Sequence, residues 1–112
     1  MPDDDYELAA VLATSDPHTL YSGLSLLVSA AVDGGRTAAL ASFGALELLG
    51  KESGSDDFGR SFDELKRTAL DLENLTIWAC AASVQSVKTD LPVMSTPRFL
   101  RETAGARRLI HV

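Results

Sequence analysis

Leu75-Thr76-Ile77-Trp78-Ala79 carries the clearest strand signal in the chain, because β-branched and aromatic side chains are enriched in strands. Cys80 follows it directly. An earlier apolar run, Leu8–Leu12, has strand length and no helical charge pattern, as expected of a strand buried on both faces. Weaker signals predict strands within residues 36–43 and 107–112, and a brief extended piece over residues 91–94.

Helix signals lie between these strands. Thr14-Ser15-Asp16-Pro17 combines a capping side chain with proline at the first helical position, and apolar residues then recur at helical spacing as far as Gly34 and Gly35. A short helix is predicted over residues 45–49, ending at Gly50.

The second half of the chain carries further helix signals. Ser61 and Glu64 have the spacing of a capping box, so we expect a long helix to begin there, with Asp63 and Arg67 paired on its surface. The preceding residues 51–57 are predicted to form an exposed loop, a candidate lid. Two shorter helices are predicted over residues 81–87 and from Thr96-Pro97 to Gly105.

This alternation of strands and helices predicts the fold class. Right-handed crossovers between neighbouring strands favour a mostly parallel sheet with helices on both faces. We therefore expect residues 1–112 to form a single three-layer α/β domain with four or five strands.

Composition excludes several classes of protein. A net charge of -6 and an isoelectric point near 4.7 argue against nucleic-acid binding, which needs clustered cations. One cysteine cannot form an intrachain disulfide, which fits a reducing cytoplasm. No apolar run approaches the roughly 18 residues of a membrane helix, and Met1-Pro2-Asp3-Asp4-Asp5 is acidic where a secretory signal would be basic. We expect a cytoplasmic protein that binds no membrane.

Candidate site residues gather where strands give way to helices, since ligands of parallel sheets bind outside the carboxyl ends of the strands. Cys80 is the candidate nucleophile at that edge. The residues expected to line the same cleft are Thr14, Ser15, His18, Phe43, Gly44 and Ser83.

Two interpretations of Cys80 remain open from its position. The start of the predicted helix over residues 81–87 would stabilise a reactive thiolate, whereas a small apolar residue at the end of a buried strand would serve only packing. Ser86 stands where a tyrosine phosphatase loop needs arginine, and Ser83 stands where a redox pair needs a second cysteine. No glycine-rich dinucleotide fingerprint is present either, so we expect no nicotinamide or flavin cofactor. With one cysteine, a zinc site would have to rely mainly on histidine and carboxylates, and we expect no metal.

Several segments in this order resemble the DsrE/DsrF-like family of small sulfur-trafficking proteins. These segments are Thr14-Ser15-Asp16-Pro17, Leu20-Tyr21-Ser22-Gly23-Leu24, Ser42-Phe43-Gly44-Ala45-Leu46-Glu47-Leu48-Leu49, Leu75-Thr76-Ile77-Trp78-Ala79-Cys80-Ala81-Ala82-Ser83 and Pro97-Arg98-Phe99-Leu100. The resemblance implies the DsrE/F-like fold and a persulfide formed on Cys80 and passed to a partner protein, without a cofactor.

The resemblance also implies assembly. It predicts a homo-oligomer, a trimer or hexamer, that meets separate sulfur donor and acceptor proteins. A small chain with 46% hydrophobic residues has more apolar surface than one domain can hide, which favours shared interfaces independently. The alternative functions are a non-catalytic oligomeric subunit and a small-ligand-binding module of the same fold.

Overall fold

A single sheet of five parallel strands organises the computed structural model, which describes residues 5–112. The strands lie in the order β4-β3-β2-β1-β5. Their bounds are β1 Leu8–Leu12, β2 Thr37–Ala41, β3 Leu75–Cys80, β4 Val93–Met94 and β5 Leu109–His111; the helices are α1 Pro17–Val32, α2 Phe43–Gly50, α3 Asp57–Asp71 and α4 Thr96–Glu102. Most of the predicted acidic lead-in, residues 1–4, lies outside the described residues.

Helices cover both faces of the sheet, but unequally. Side chains of α1, α2 and α3 pack with one set of strand residues, including Leu12, Ile77 and Ala79. The short helix α4 packs on the other face, where Phe99 joins Leu40 and the strand-end cysteine. The predicted three-layer, parallel α/β fold is therefore confirmed, with a thick layer on one face and a thin one on the other.

The first helix begins as its sequence predicts. The Asp16 carboxylate accepts hydrogen bonds from the Thr19 backbone N–H at 3.0 Å and hydroxyl at 2.6 Å, and Pro17 occupies the first turn. These bonds hold the pKa of the Asp16 carboxyl below its ordinary value. The helix ends at Val32, and Gly34 then takes a left-handed φ of 100°.

The predicted start of α3 at Ser61 is wrong, because the cap of the helix lies five residues earlier. Asp56 caps the helix instead, accepting a hydrogen bond from the Gly59 N–H at 2.8 Å, and Ser61 lies inside α3. The additional turn carries Phe58, whose ring packs 5.7 Å from that of Tyr21 on α1. Aromatic contact across the helix pair adds to the stability of the longer helix, which a capping pattern alone does not register.

The predicted lid over residues 51–57 is instead a loop fixed to α3. Lys66 is buried, and its ammonium donates hydrogen bonds to the carbonyls of Leu48 and Lys51 and to the Ser53 hydroxyl, at 2.7 to 2.8 Å. The carboxylate of Asp63 lies 3.1 Å from that ammonium and accepts the Ser53 N–H. Asp63 therefore pairs with Lys66.

The i,i+4 spacing on α3 predicts Arg67 as the partner of Asp63, and this prediction is wrong. The physical reason is burial. A carboxylate gains more from a desolvated ammonium that also closes a loop than from an exposed guanidinium on the helix surface.

We predict that acid weakens the fold through Asp63. Hydrogen bonding to the Lys66 ammonium holds the pKa of the Asp63 carboxyl below its ordinary value. Because that pKa is lower in the folded than in the unfolded chain, the stabilisation is complete above about pH 4 and is lost as pH falls through the folded-state pKa. Melting curves between about pH 2 and 6 test this, and Asp63→Asn should flatten the acid limb. An identical profile for that variant would contradict the assignment.

Candidate functional site

Four of the predicted site residues meet at the carboxyl edge of the sheet. The turn after β1 touches the turn after β2, because a β-carbon placed at Gly44 would lie 2.6 Å from the Cβ of Ser15 and 2.9 Å from its Cα. The segment after β2 also contacts the segment after β3, because the Phe43 N–H donates a 2.9 Å hydrogen bond to the Ser83 hydroxyl. Three loops thus form one connected edge.

Phe43 is held in a strained conformation at this edge. Its φ of 40° lies in the left-handed region, which residues with a β-carbon seldom adopt. Ser83 is completely buried and accepts the Phe43 N–H, while the Phe43 side chain is 52% exposed. Strain of this kind persists only where the surroundings fix it, and it is concentrated at functional sites.

Gly44→Ala should separate the turns after β1 and β2 and destabilise the protein by about 1–3 kcal/mol, because the added methyl overlaps backbone as well as side-chain atoms of Ser15. Gly50→Ala is the matched control, since a β-carbon there meets nothing within 4 Å and alanine favours helix. Chemical unfolding of both variants measures the difference. Equal free energies of unfolding would show that the close approach at Gly44 is unimportant.

Cys80 ends β3. Its side chain lies on the face of the sheet covered by α4, opposite the face covered by α1, α2 and α3. It is 6% exposed and packs in the same cluster as Met94 and Phe99. Its Sγ lies 3.7 Å from the Thr96 hydroxyl oxygen, within range of a sulfur hydrogen bond. A hydroxyl that can donate to sulfur is a group that stabilises a thiolate.

The helix predicted over residues 81–87 does not form. Consecutive turns occupy residues 81–86, with the Ser83 N–H bonded to the Cys80 carbonyl and the Ser86 N–H to the Ser83 carbonyl. The hydrogen bond from the Phe43 N–H to the Ser83 hydroxyl stabilises the turn conformation of this segment over a helix. The helix beside Cys80 is α4, which contacts the thiol through Thr96, its first residue. Thr96 was not among the residues predicted for the site. The Thr96-Pro97 helix start was the signal that could have indicated it.

The side chains of Thr14 and His18 make contacts that do not involve Cys80. The Thr14 hydroxyl accepts the Asp16 N–H at 3.0 Å within its own turn. The His18 ring stacks on Phe58 of α3, with ring centroids 4.2 Å apart and planes inclined by 19°. Phe58 belongs to the packing on the thick face of the sheet, so His18 and Cys80 lie on opposite faces.

A metal site needs clustered ligands, and a membrane-spanning helix needs length and an apolar composition. Within residues 5–112, no group of three histidine, cysteine or carboxylate side chains is arranged to hold a metal ion. The helices of the same range are all too short or too polar to cross a membrane.

Comparison with known proteins gives a match of fold. No family model matches the chain, and no curated protein matches it. Among solved structures, the crystal structure of the YchN protein from E. coli is similar, with a TM-score of 0.71 over 96% of this chain and 99% of that chain. The fold is DsrE/DsrF-like. With 11% identity between the two sequences, the likeness shows the DsrE-like fold alone, which is the fold that the sequence resemblance implies.

Proposed function

We propose that this protein carries sulfane sulfur as a persulfide on Cys80 and passes it to a partner protein. The observation that carries the proposal is the place of the thiol, at the carboxyl end of β3 and 3.7 Å from the Thr96 hydroxyl, in a chain with no other cysteine. The DsrE-like fold supports the same function, because it places this strand end at the edge where parallel sheets bind their ligands.

The proposed transfer uses one thiol of this chain, that of Cys80. The Cys80 thiolate attacks the terminal sulfur of a donor persulfide, a new S–S bond forms, the donor's own S–S bond breaks, and the donor leaves as a thiolate. The acceptor thiolate later attacks the terminal sulfur on Cys80 in the same way. Thr96 donates its hydroxyl hydrogen to Sγ while that sulfur is negatively charged. Electrons and atoms balance without an external oxidant.

Mass spectrometry tests the proposal directly. Native protein is exposed to a small persulfide donor, and a mass increase of one sulfur atom that a reducing thiol removes is the expected result. The adduct should map to the peptide that contains Cys80. Absence of the adduct at donor concentrations that modify a free cysteine peptide would refute the sulfur-carrier function.

A second candidate function follows from burial. Cys80 is 6% exposed and has apolar neighbours, which favours a non-catalytic subunit or a ligand-binding module in which the thiol only packs. Alkylation separates the candidates. Labelling of the native protein that accelerates as pH rises supports sulfur transfer, whereas labelling only after denaturation supports the packing role.

We also infer that the chain assembles with copies of itself. Large apolar side chains on several elements stay half exposed or more in the single chain, and two of them, Leu26 and Val32 on α1, line the same surface groove, which a second chain would cover. The exposed side chains are Leu26, Val32, Phe43, Leu70, Val93, Leu100 and Leu109.

Sedimentation at micromolar concentration should give more than the 11.9 kDa mass of one chain, and the resemblance to the DsrE/DsrF-like family leads us to expect three or six times that mass. Subunit contacts between such leucine and valine side chains would bury them as a domain core does. Leu26→Glu on α1 and Leu100→Glu on α4, made separately, test which helix lies in the interface, because a charge placed there should lower the sedimenting mass. A wild-type species of one chain mass would exclude the assembly.

A further inference from the structure

A cleft of about 400 Å³ opens beside the thick helical layer, apart from Cys80. It lies between the end of α2, the last turn of α3 and the segment that leads into β4. Its lining residues are Leu46, Leu49, Gly50, Leu70, Lys88, Thr89, Asp90 and Leu91. The volume is that of a site for a small molecule.

Four leucines of the lining form the apolar floor of this cleft, namely Leu46, Leu49, Leu70 and Leu91. Leu46 is buried, whereas Leu70 is 51% exposed. Gly50 contributes no side chain, and a β-carbon built there meets nothing within 4 Å. An apolar group of a ligand can therefore remove leucine surface from water without displacing protein atoms.

Opposite charges stand on the rim. Neither Lys88 nor Asp90 forms an ion pair in the part of the chain that the structure describes. The intervening Thr89 hydroxyl accepts the Leu91 N–H at 3.0 Å, which fixes the turn that carries both charges. The α3 helix ends beside the cleft with no basic residue in its last turn, so its negative end adds to the attraction for a cation.

We propose that this cleft binds a free amino acid with an apolar side chain. The side chain lies on the leucine floor, the carboxylate binds the Lys88 ammonium, and the ammonium binds the Asp90 carboxylate near the end of α3. This ligand class satisfies the two charges and the apolar floor together. Because Lys88 and Asp90 are both exposed to solvent, an apolar acid gains only the attraction of Lys88 and an apolar amine only that of Asp90, whereas the amino acid gains both. The site is independent of the function proposed for Cys80.

Titration of isotope-labelled protein with L-phenylalanine and L-leucine tests the proposal by amide NMR. Saturable shifts at Gly50, Leu70 and Thr89 are expected at millimolar ligand. The phenylalanine analogues phenylpropionic acid and phenylethylamine, each lacking one charge, should bind about two- to fivefold more weakly, the contribution of one exposed ion pair. Asp90→Asn and Lys88→Met should each weaken binding of the amino acid by a similar factor.

Gly50→Phe provides the sharpest variant, because its ring fills the floor at a position where a side chain meets no protein atom. It should abolish the shifts while the spectrum outside the cleft stays that of the folded protein. Absence of saturable shifts with wild type, as a second copy covering the cleft would produce, overturns the proposal. Equal binding by Gly50→Phe, or equal affinity for the acid or the amine, overturns it as well.

Discussion

Lys66→Met should lower the melting temperature by roughly 10–20 °C, the expected effect of losing about 3 kcal/mol from a domain of this size. The Lys66 ammonium supplies hydrogen bonds to Leu48 and Lys51 at the end of α2 and to Ser53 in the following loop. Methionine fills similar volume but donates nothing, so these acceptors lose their partner while Asp63 loses its counter-ion.

Arg67→Met is the matched control for Lys66. It removes a cation from the next position of the same helix, where the side chain is exposed and makes no ion pair within residues 5–112. Its free energy of unfolding should stay within about 0.5 kcal/mol of wild type. Thermal melts followed by circular dichroism measure both variants. A Lys66→Met protein as stable as Arg67→Met would show that the buried ammonium contributes nothing net.

Cys80→Ser should lose all sulfur uptake, because no other residue of the chain can form a persulfide. Its fold should survive at a cost of about 1–3 kcal/mol, because the shorter C–O bond leaves the serine oxygen out of hydrogen-bond range of Thr96 and buried among apolar side chains. Mass spectrometry after exposure to a persulfide donor, run beside a melting curve, gives both results. A large loss of stability in a protein whose wild type never takes up sulfur would leave Cys80 as a packing residue.

Thr96→Val refines that result. It keeps the shape of the side chain but cannot donate to the thiolate, so the rate of Cys80 alkylation at neutral pH should fall about tenfold. Thr96→Ser should retain the rate because it retains the hydroxyl. Two variants with equal rates would exclude the hydroxyl from thiolate stabilisation and would leave the sulfur-uptake result of Cys80→Ser untouched.

Local patterns determined most elements of the fold, although they placed the cap of α3 five residues late and predicted a helix over residues 81–87 that does not form. Strand composition placed β1 at Leu8–Leu12 and β3 up to Cys80, and the Asp16-Pro17 pair fixed the start of α1. The order of these elements indicated a parallel sheet, and strand ends indicated that Ser15, Gly44 and Ser83 would gather at one edge. Each of these inferences depends on residues a few positions apart, or on the rule that parallel strands end at the same edge.

Tertiary structure decided what the key side chains touch. Strand alternation puts Cys80 and Trp78 on one face, but only packing shows that α4, with Thr96, covers that face while His18 stacks within the other layer. Lys66 resembles an ordinary surface lysine in sequence, and it is buried because carbonyls 15 and 18 positions earlier surround its ammonium. Such partners are distant along the chain, so no local pattern records them, and only the folded backbone brings them within hydrogen-bond distance.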